Sequence, residues 1–209
     1  MPNTSEPDNP ALVLLRALHH QPLLVVLRAE QPQQLAPQLQ RLQTLGLRHV
    51  ELAWSPGVAW ADQAAELVAR FPGLSLGVAS VCEPVALEVA AAAGLRYAVS
   101  PVLDSALILR ARQLGLALVP GVMTPSEVHQ ARQLGCPLLK LFPAAPLGPG
   151  YWRSLRQPLG GLPGCIAAGG LGPDQVEAWL AGGVDAVALG GSLQDEAAWQ
   201  ALAALLQRL

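Results

Sequence analysis

Short apolar runs alternate with amphipathic stretches along almost the whole chain, and one kind of join between them recurs. A helix-like stretch ends at a glycine, one to three residues follow, and an apolar strand begins. The glycines are Gly46, Gly94, Gly115, Gly135 and Gly183. Each stands where a helix C-terminus calls for left-handed backbone, which glycine adopts without steric cost. Successive joins lie about 20 or about 48 residues apart, one or two strand–helix units. Filling the doubled gaps predicts eight strands, near 23–28, 49–54, 74–79, 97–100, 116–119, 138–142, 165–168 and 185–189. Helices are predicted near 32–45, 57–71, 83–93, 104–114, 125–134, 149–157, 173–181 and 194–207, with a further short helix near 10–19 ahead of the first strand.

Short apolar strands separated by amphipathic helices imply parallel pairing through helical crossovers. Eight such units make an α/β fold of the (β/α)8 TIM-barrel type. It is expected as a single domain over residues 10–209, with the first helix capping the barrel floor and residues 1–9 as a flexible tail. An open doubly wound sheet is the competing topology. It carries a Gly-rich turn after its first strand, whereas this chain has Leu27-Arg28-Ala29-Glu30 there.

Composition narrows the partners. Of 209 residues, 52% are apolar and 13% charged, enough apolar material for a large core. The net charge is −2, with no basic stripe, so neither nucleic acid nor an anionic membrane is an expected partner. The first residues lack the pattern of a secretion signal, and no apolar run reaches spanning length. Cys82, Cys136 and Cys165 are scattered, with neither metal-ligand spacing nor an even count. These features point to a soluble protein in the reducing cytoplasm, with no metal and no cofactor.

The candidate chemistry begins with charge usage. Twelve of the 13 basic residues are arginine, and the one lysine, Lys140, stands inside the sixth predicted strand. A buried ammonium is costly unless it pairs or deprotonates. A deprotonated lysine is a nucleophile for Schiff-base chemistry, a role arginine cannot take because its guanidinium stays protonated. A lysine that merely snorkels or pairs with a carboxylate is the plainer alternative.

Side chains alternate along a strand. Val50, Leu52 and Trp54 then face the helices, while Glu51 faces the barrel interior, as do Leu138, Lys140 and Phe142. Glu51 could serve as proton shuttle to Lys140, or as a buried counter-ion to it or to Arg28. Chemistry in such barrels sits at the C-terminal strand ends. There the chain places Arg28, Ser80, Ser100 and Lys140. Gly169-Gly170 and Gly190-Gly191-Ser192 follow the seventh and eighth strands, where backbone N–H groups commonly hold phosphate. His49 shares the inward parity but starts its strand, which assigns it a structural role.

These residues resemble the class I aldolases of the 2-keto-3-deoxy-6-phosphogluconate (KDPG) / 4-hydroxy-2-oxoglutarate (KHG) aldolase family, over about residues 23–193. The shared segments are Leu27-Arg28, Val50-Glu51-Leu52, the stretch Gly77 to Val81, Ser100-Pro101, Pro120 to Val122, Lys140 to Ala144, Gly169-Gly170 and Gly190-Gly191-Ser192. The resemblance implies an eight-stranded barrel, commonly a homotrimer, that cleaves a 2-keto-4-hydroxy acid into pyruvate and an aldehyde. It implies Lys140 as Schiff-base residue and Glu51 as general acid/base. Arg28, Ser80, Ser100, Pro101 and Phe142 would contact substrate, and the two glycine loops would hold phosphate. Four family features are altered: an Arg is replaced by Ser55, a stereochemistry-setting Thr by Ala168, a Gly by Val102 and a Glu by Ala145. The expected substrate is KDPG. Alternatives are 4-hydroxy-2-oxoglutarate, decarboxylation of oxaloacetate by the same iminium, a phosphate-binding isomerase or epimerase barrel, or a non-catalytic ligand-binding relative.

Overall fold

The computed structural model describes residues 9–57 and 59–209. The tail expected over 1–9 therefore lies, except for Asn9, outside the described residues. Nine strand segments form one sheet: β1 (Leu23–Leu27), β2 (His49–Ala53), β3 (Ser75–Ala79), β4 (Tyr97–Val99), β5 (Ala117–Val119), β6 (Gly121–Val122), β7 (Leu138–Leu141), β8 (Gly164–Ala168) and β9 (Ala186–Leu189). Their order is β5-β4-β3-β2-β1-β9-β8-β7-β6, and every pairing is parallel. The two ends of that order are consecutive in sequence, so the sheet closes on itself as a (β/α)8 TIM barrel.

The closure turns on Pro120. The fifth barrel strand was expected to stop at 119, but it runs on through Gly121–Val122. Proline has no N–H to give a ladder, so pairing changes sides there. Val119 is in register with Val99 on β4, while Gly121 is in register with Lys140 on β7. The Pro120 carbonyl still accepts from the Lys140 N–H at 2.9 Å. Gly121 is forced by space, since a Cβ there would stand 2.4 Å from the Pro101 carbonyl.

Helices fill the intervals: α1 (Pro10–His20), α2 (Ala36–Thr44), α3 (Trp60–Arg70), α4 (Pro84–Ala92), α5 (Ser105–Gln113), α6 (Pro125–Gln133), α7 (Tyr151–Ser154), α8 (Arg156–Leu159), α9 (Val176–Ala181) and α10 (Glu196–Leu206). Their starts carry chemical caps. Asn9, Asp104 and Asp195 accept first-turn N–H groups, and Thr124 with Glu127 forms a capping box. Their ends carry the recurring glycines, all five at positive φ, from 66° at Gly115 to 96° at Gly183. The helix expected over 149–157 is instead the two short turns α7 and α8. Pro158 cannot donate to the Ser154 carbonyl and its ring would clash with it, so the helix breaks one turn upstream.

Alternation sorts the strands into two cores. Outward residues such as Val25, Val50, Leu52, Val78, Leu139 and Val187 pack under the helices. Inward residues Leu24, Tyr97, Leu138 and Ile166 fill the lower barrel, where Leu14 and Leu18 of α1 close the floor. Each such buried leucine is worth about 1.5–3 kcal/mol, which pins α1 as a plug. Nearer the mouth the inward positions are Ala79, Ala168, Ala188 and Gly190. Small side chains there leave the upper barrel hollow.

Candidate active site

The hollow is a cavity of about 490 Å³ at the C-terminal ends of the strands. Arg28, Lys140, Phe142, Gly169, Gly170, Gly190, Gly191 and Ser192 all line it. These residues come from four separate strand ends, so only barrel closure brings them together. Its volume falls in the range of small-molecule sites. The sequence pattern missed further wall residues, including Val26, Ala79 and Ala188. Parity would have found Val26 and Ala188, which face the same way as Arg28 and Gly190.

Lys140 projects inward from β7 and is only 8% exposed. Its Nζ lies 4.6 Å from the centre of the Phe142 ring. Burial lowers its pKa from the usual lysine value, the Glu51 charge opposes that shift, and Arg28 adds to it. Glu51 projects inward from β2, across the barrel from β7, and is 1% exposed. Burial raises its pKa to about 7, against the pull of Lys140 and Arg28. Neither carboxyl oxygen has a hydrogen-bond partner among the described residues. The site thus holds an amine biased toward its neutral form and, outside the cavity lining but near enough for the two charges to interact, a carboxyl whose pKa is raised to about 7. Such a pair can exchange protons around a carbonyl adduct of the amine.

Arg28 stands at the rim, where its Nη1 donates to the Ser80 Oγ at 3.1 Å. Ser80 has φ of 63°, the one non-glycine residue in the left-handed region among the described residues. Such backbone costs about 1–3 kcal/mol and clusters at functional sites. The strained turn at the end of β3 gives the serine the direction that meets Arg28.

The two glycine loops flank the lysine. Gly169 and Gly170 take φ of 97° and 77°. A Cβ on Gly169 would stand 2.9 Å from the Phe142 ring. Gly190 has open space where a Cβ would be, and the Ser192 Oγ is buried without a protein partner. Glu51, Ser80, Ser100 and Pro101 are not among the residues that line the cavity. Ser100 is fully buried and its Oγ accepts from the Val102 N–H at 3.1 Å, while Pro101 packs its carbonyl on Gly121. Among the described residues no three His, Cys, Asp or Glu side chains gather as a metal site, and no helix is long and apolar enough to cross a membrane.

Comparison with known proteins agrees with this geometry. A family model described as "KDPG and KHG aldolase" matches residues 15–204. The chain is 27% identical to the 2-dehydro-3-deoxy-6-phosphogalactonate aldolase of Escherichia coli (strain K12), over 82% of this chain and 84% of that protein. It is 31% identical to the probable 2-dehydro-3-deoxy-6-phosphogalactonate aldolase of Rhizobium meliloti (strain 1021), over 82% and 81%. A solved structure described as native KDPGal superposes with a TM-score of 0.78 at 26% identity, covering 90% of this chain and 94% of that one. By sequence, by fold and by the setting of its single lysine, this chain belongs to the KDPG and KHG aldolase family of carbon–carbon lyases.

Proposed function

We propose that this chain is a Schiff-base aldolase that cleaves a 6-phosphorylated 2-keto-3-deoxy sugar acid into pyruvate and a phosphorylated aldehyde. The observation that carries this reading is the placement of the only lysine. Its buried amine opens into the same cavity as the two glycine loops. In the reaction, the neutral Lys140 amine adds to the C2 carbonyl, and Glu51 supplies and removes the protons that turn carbinolamine into iminium and water. Glu51 then takes the proton of the C4 hydroxyl. The C3–C4 bond breaks, its electron pair flows into the iminium, and the aldehyde leaves. The resulting enamine is protonated at C3, and water releases pyruvate from Lys140. Arg28 and Ser80 hold the carboxylate, Phe142 forms a wall beside the iminium, and the N–H groups of Gly169, Gly170, Gly190, Gly191 and Ser192 receive the phosphate.

One observation favours the galactonate epimer over the gluconate one: both relatives above bear that name. The wall position Ala168 carries no hydroxyl to read the configuration at C4, so the gluconate epimer is expected to turn over as well. The family resemblance implies a homotrimer, which sedimentation of the purified protein checks.

Borohydride reduction in the presence of pyruvate tests the chemistry, with peptide mass spectrometry locating the adduct on Lys140. Absence of an adduct, or full cleavage by Lys140→Ala, overturns it. Turnover of the two 6-phosphorylated epimers, their unphosphorylated forms, 4-hydroxy-2-oxoglutarate and oxaloacetate then fixes the substrate. Faster turnover of any of the four unphosphorylated acids overturns the phosphate assignment.

A further inference from the structure

We propose that the Tyr97 hydroxyl positions Glu51, donating a hydrogen bond toward its carboxyl through one buried water, and so aims it across the barrel at Lys140. The inference rests on the role given to Glu51 above.

The placement follows from three adjacent strands. Glu51 on β2 is in register with Gly77 on β3, and the pairing of Val78 with Ala98 sets Gly77 beside Tyr97 on β4. All three positions face the barrel interior. Gly77 has no side chain, and the Tyr97 ring occupies that space: a Cβ on Gly77 would lie 2.5 Å from Tyr97 Cε2 and 2.6 Å from Cζ. The ring therefore lies across β3, with Cζ, the carbon that bears the hydroxyl, over Gly77. Neighbouring strands are only about 4.8 Å apart, so the hydroxyl arrives in the neighbourhood of the next inward side chain, Glu51.

Neither group has a hydrogen bond elsewhere among the described residues. Tyr97 and Glu51 are each 1% exposed, and neither the phenol oxygen nor either carboxyl oxygen has a hydrogen-bond partner among the described residues. Buried polar groups are almost always paired. A phenylalanine would fill the space over Gly77 equally well, so packing gives no reason for the hydroxyl; a carboxyl beside it does. The charged and titratable groups around Glu51 are Lys140 on β7, Arg28 beyond β1, Tyr97 on β4, and His49 two residues earlier on β2. Cys82 beyond β3 acts on Lys140. Burial holds His49 down to about 4, so it is neutral across the working range. Its Nδ1 is also without a hydrogen-bond partner among the described residues, and His49 and Tyr97 both line a cavity at the barrel floor.

Through that water the phenol donates toward the ionised carboxyl and thereby stabilises that form. The test is Tyr97→Phe, which removes one oxygen and keeps the ring over Gly77. We expect an undiminished borohydride-trapped pyruvate adduct at Lys140, KM within about twofold, and kcat lowered about tenfold, the scale of one hydrogen bond to a charged group. The Glu51 limb of the kcat/KM profile moves up by about one pH unit. An adduct in both proteins with an unmoved kcat and profile overturns the role of Tyr97 alone. No adduct in the unmodified enzyme overturns the aldolase assignment, and this inference with it. If Tyr97→Phe does not fold, a high-resolution crystal structure of the unmodified enzyme decides. One ordered water within about 3.2 Å of both the phenol oxygen and the carboxyl supports the inference. Its absence overturns it.

Discussion

Glu51→Gln separates stability from catalysis at one buried atom. In the folded protein burial raises the Glu51 pKa from 4.5 to about 7. That difference corresponds to about 3 kcal/mol between the protonated and ionised forms. The sign follows from proton counting. Below pH 4.5 the carboxyl is protonated in both folded and unfolded chains, and nothing is lost. Between 4.5 and about 7 the folded chain holds the proton more tightly, so stability falls as the pH rises. Above about 7 the full cost of burying the charge is present. Glutamine is a neutral near-isostere and escapes that cost at every pH. Any difference in its packing or hydrogen bonding is independent of pH and drops out when two pH values are compared. The variant should therefore gain about 3 kcal/mol on the native protein between pH 4.5 and pH 8, read as urea midpoints multiplied by slope. In a chain of this size that is a Tm difference of roughly 6–12 °C. The same variant should lose cleavage activity by at least about a hundredfold, the scale of a general acid/base. Stability curves of the two proteins running parallel from pH 4.5 to 8 would refute the burial argument. Full activity in Glu51→Gln would refute the catalytic one.

Three further substitutions test other parts of the site. Lys140→Arg keeps a cation but offers no neutral amine, so the pyruvate adduct should vanish and cleavage fall to the detection limit. A retained rate would require another nucleophile. Gly77→Ala drives a methyl group to within 2.5–2.7 Å of three Tyr97 ring atoms. It should cost about 1–3 kcal/mol in urea unfolding, and a neutral result would show that the ring is free to move. Gly190→Ala adds a methyl where nothing lies within 4 Å, so stability should change by less than about 0.5 kcal/mol. Because that position lines the cavity, KM for the phosphorylated substrate should rise about tenfold while pyruvate trapping is unaffected.

Alternation and the recurring helix-end glycines were enough to predict eight strands, the inward set that includes Glu51, Lys140 and Phe142, and the plug helix. Those features depend on local backbone preference and on which side of a strand a residue faces, and both are written in nearest-neighbour sequence. Breaks caused by proline were placed less well. Pro120 moves a strand from one partner to the other rather than ending it, and Pro158 splits a helix one turn upstream of itself. In both cases the missing N–H acts on a residue elsewhere in the chain.

Ser100 and Tyr97 mark the boundary more sharply. A serine at a strand end in a barrel is a candidate ligand group by position, yet the Ser100 hydroxyl turns back to the Val102 N–H and is fully buried. Tyr97 is buried in the core of the lower barrel. Only the absence of a side chain at Gly77, on the neighbouring strand, lets its ring lie across β3. The sequence by itself determined which residues face inward and that one lysine is kept apart from every other cation. The folded barrel decided the neighbours, because strands two and six meet across an axis that no local pattern encodes. It also decided the charges: burial of Glu51 and Lys140 moves their pKa values toward each other, and that burial is a property of the closed sheet around them.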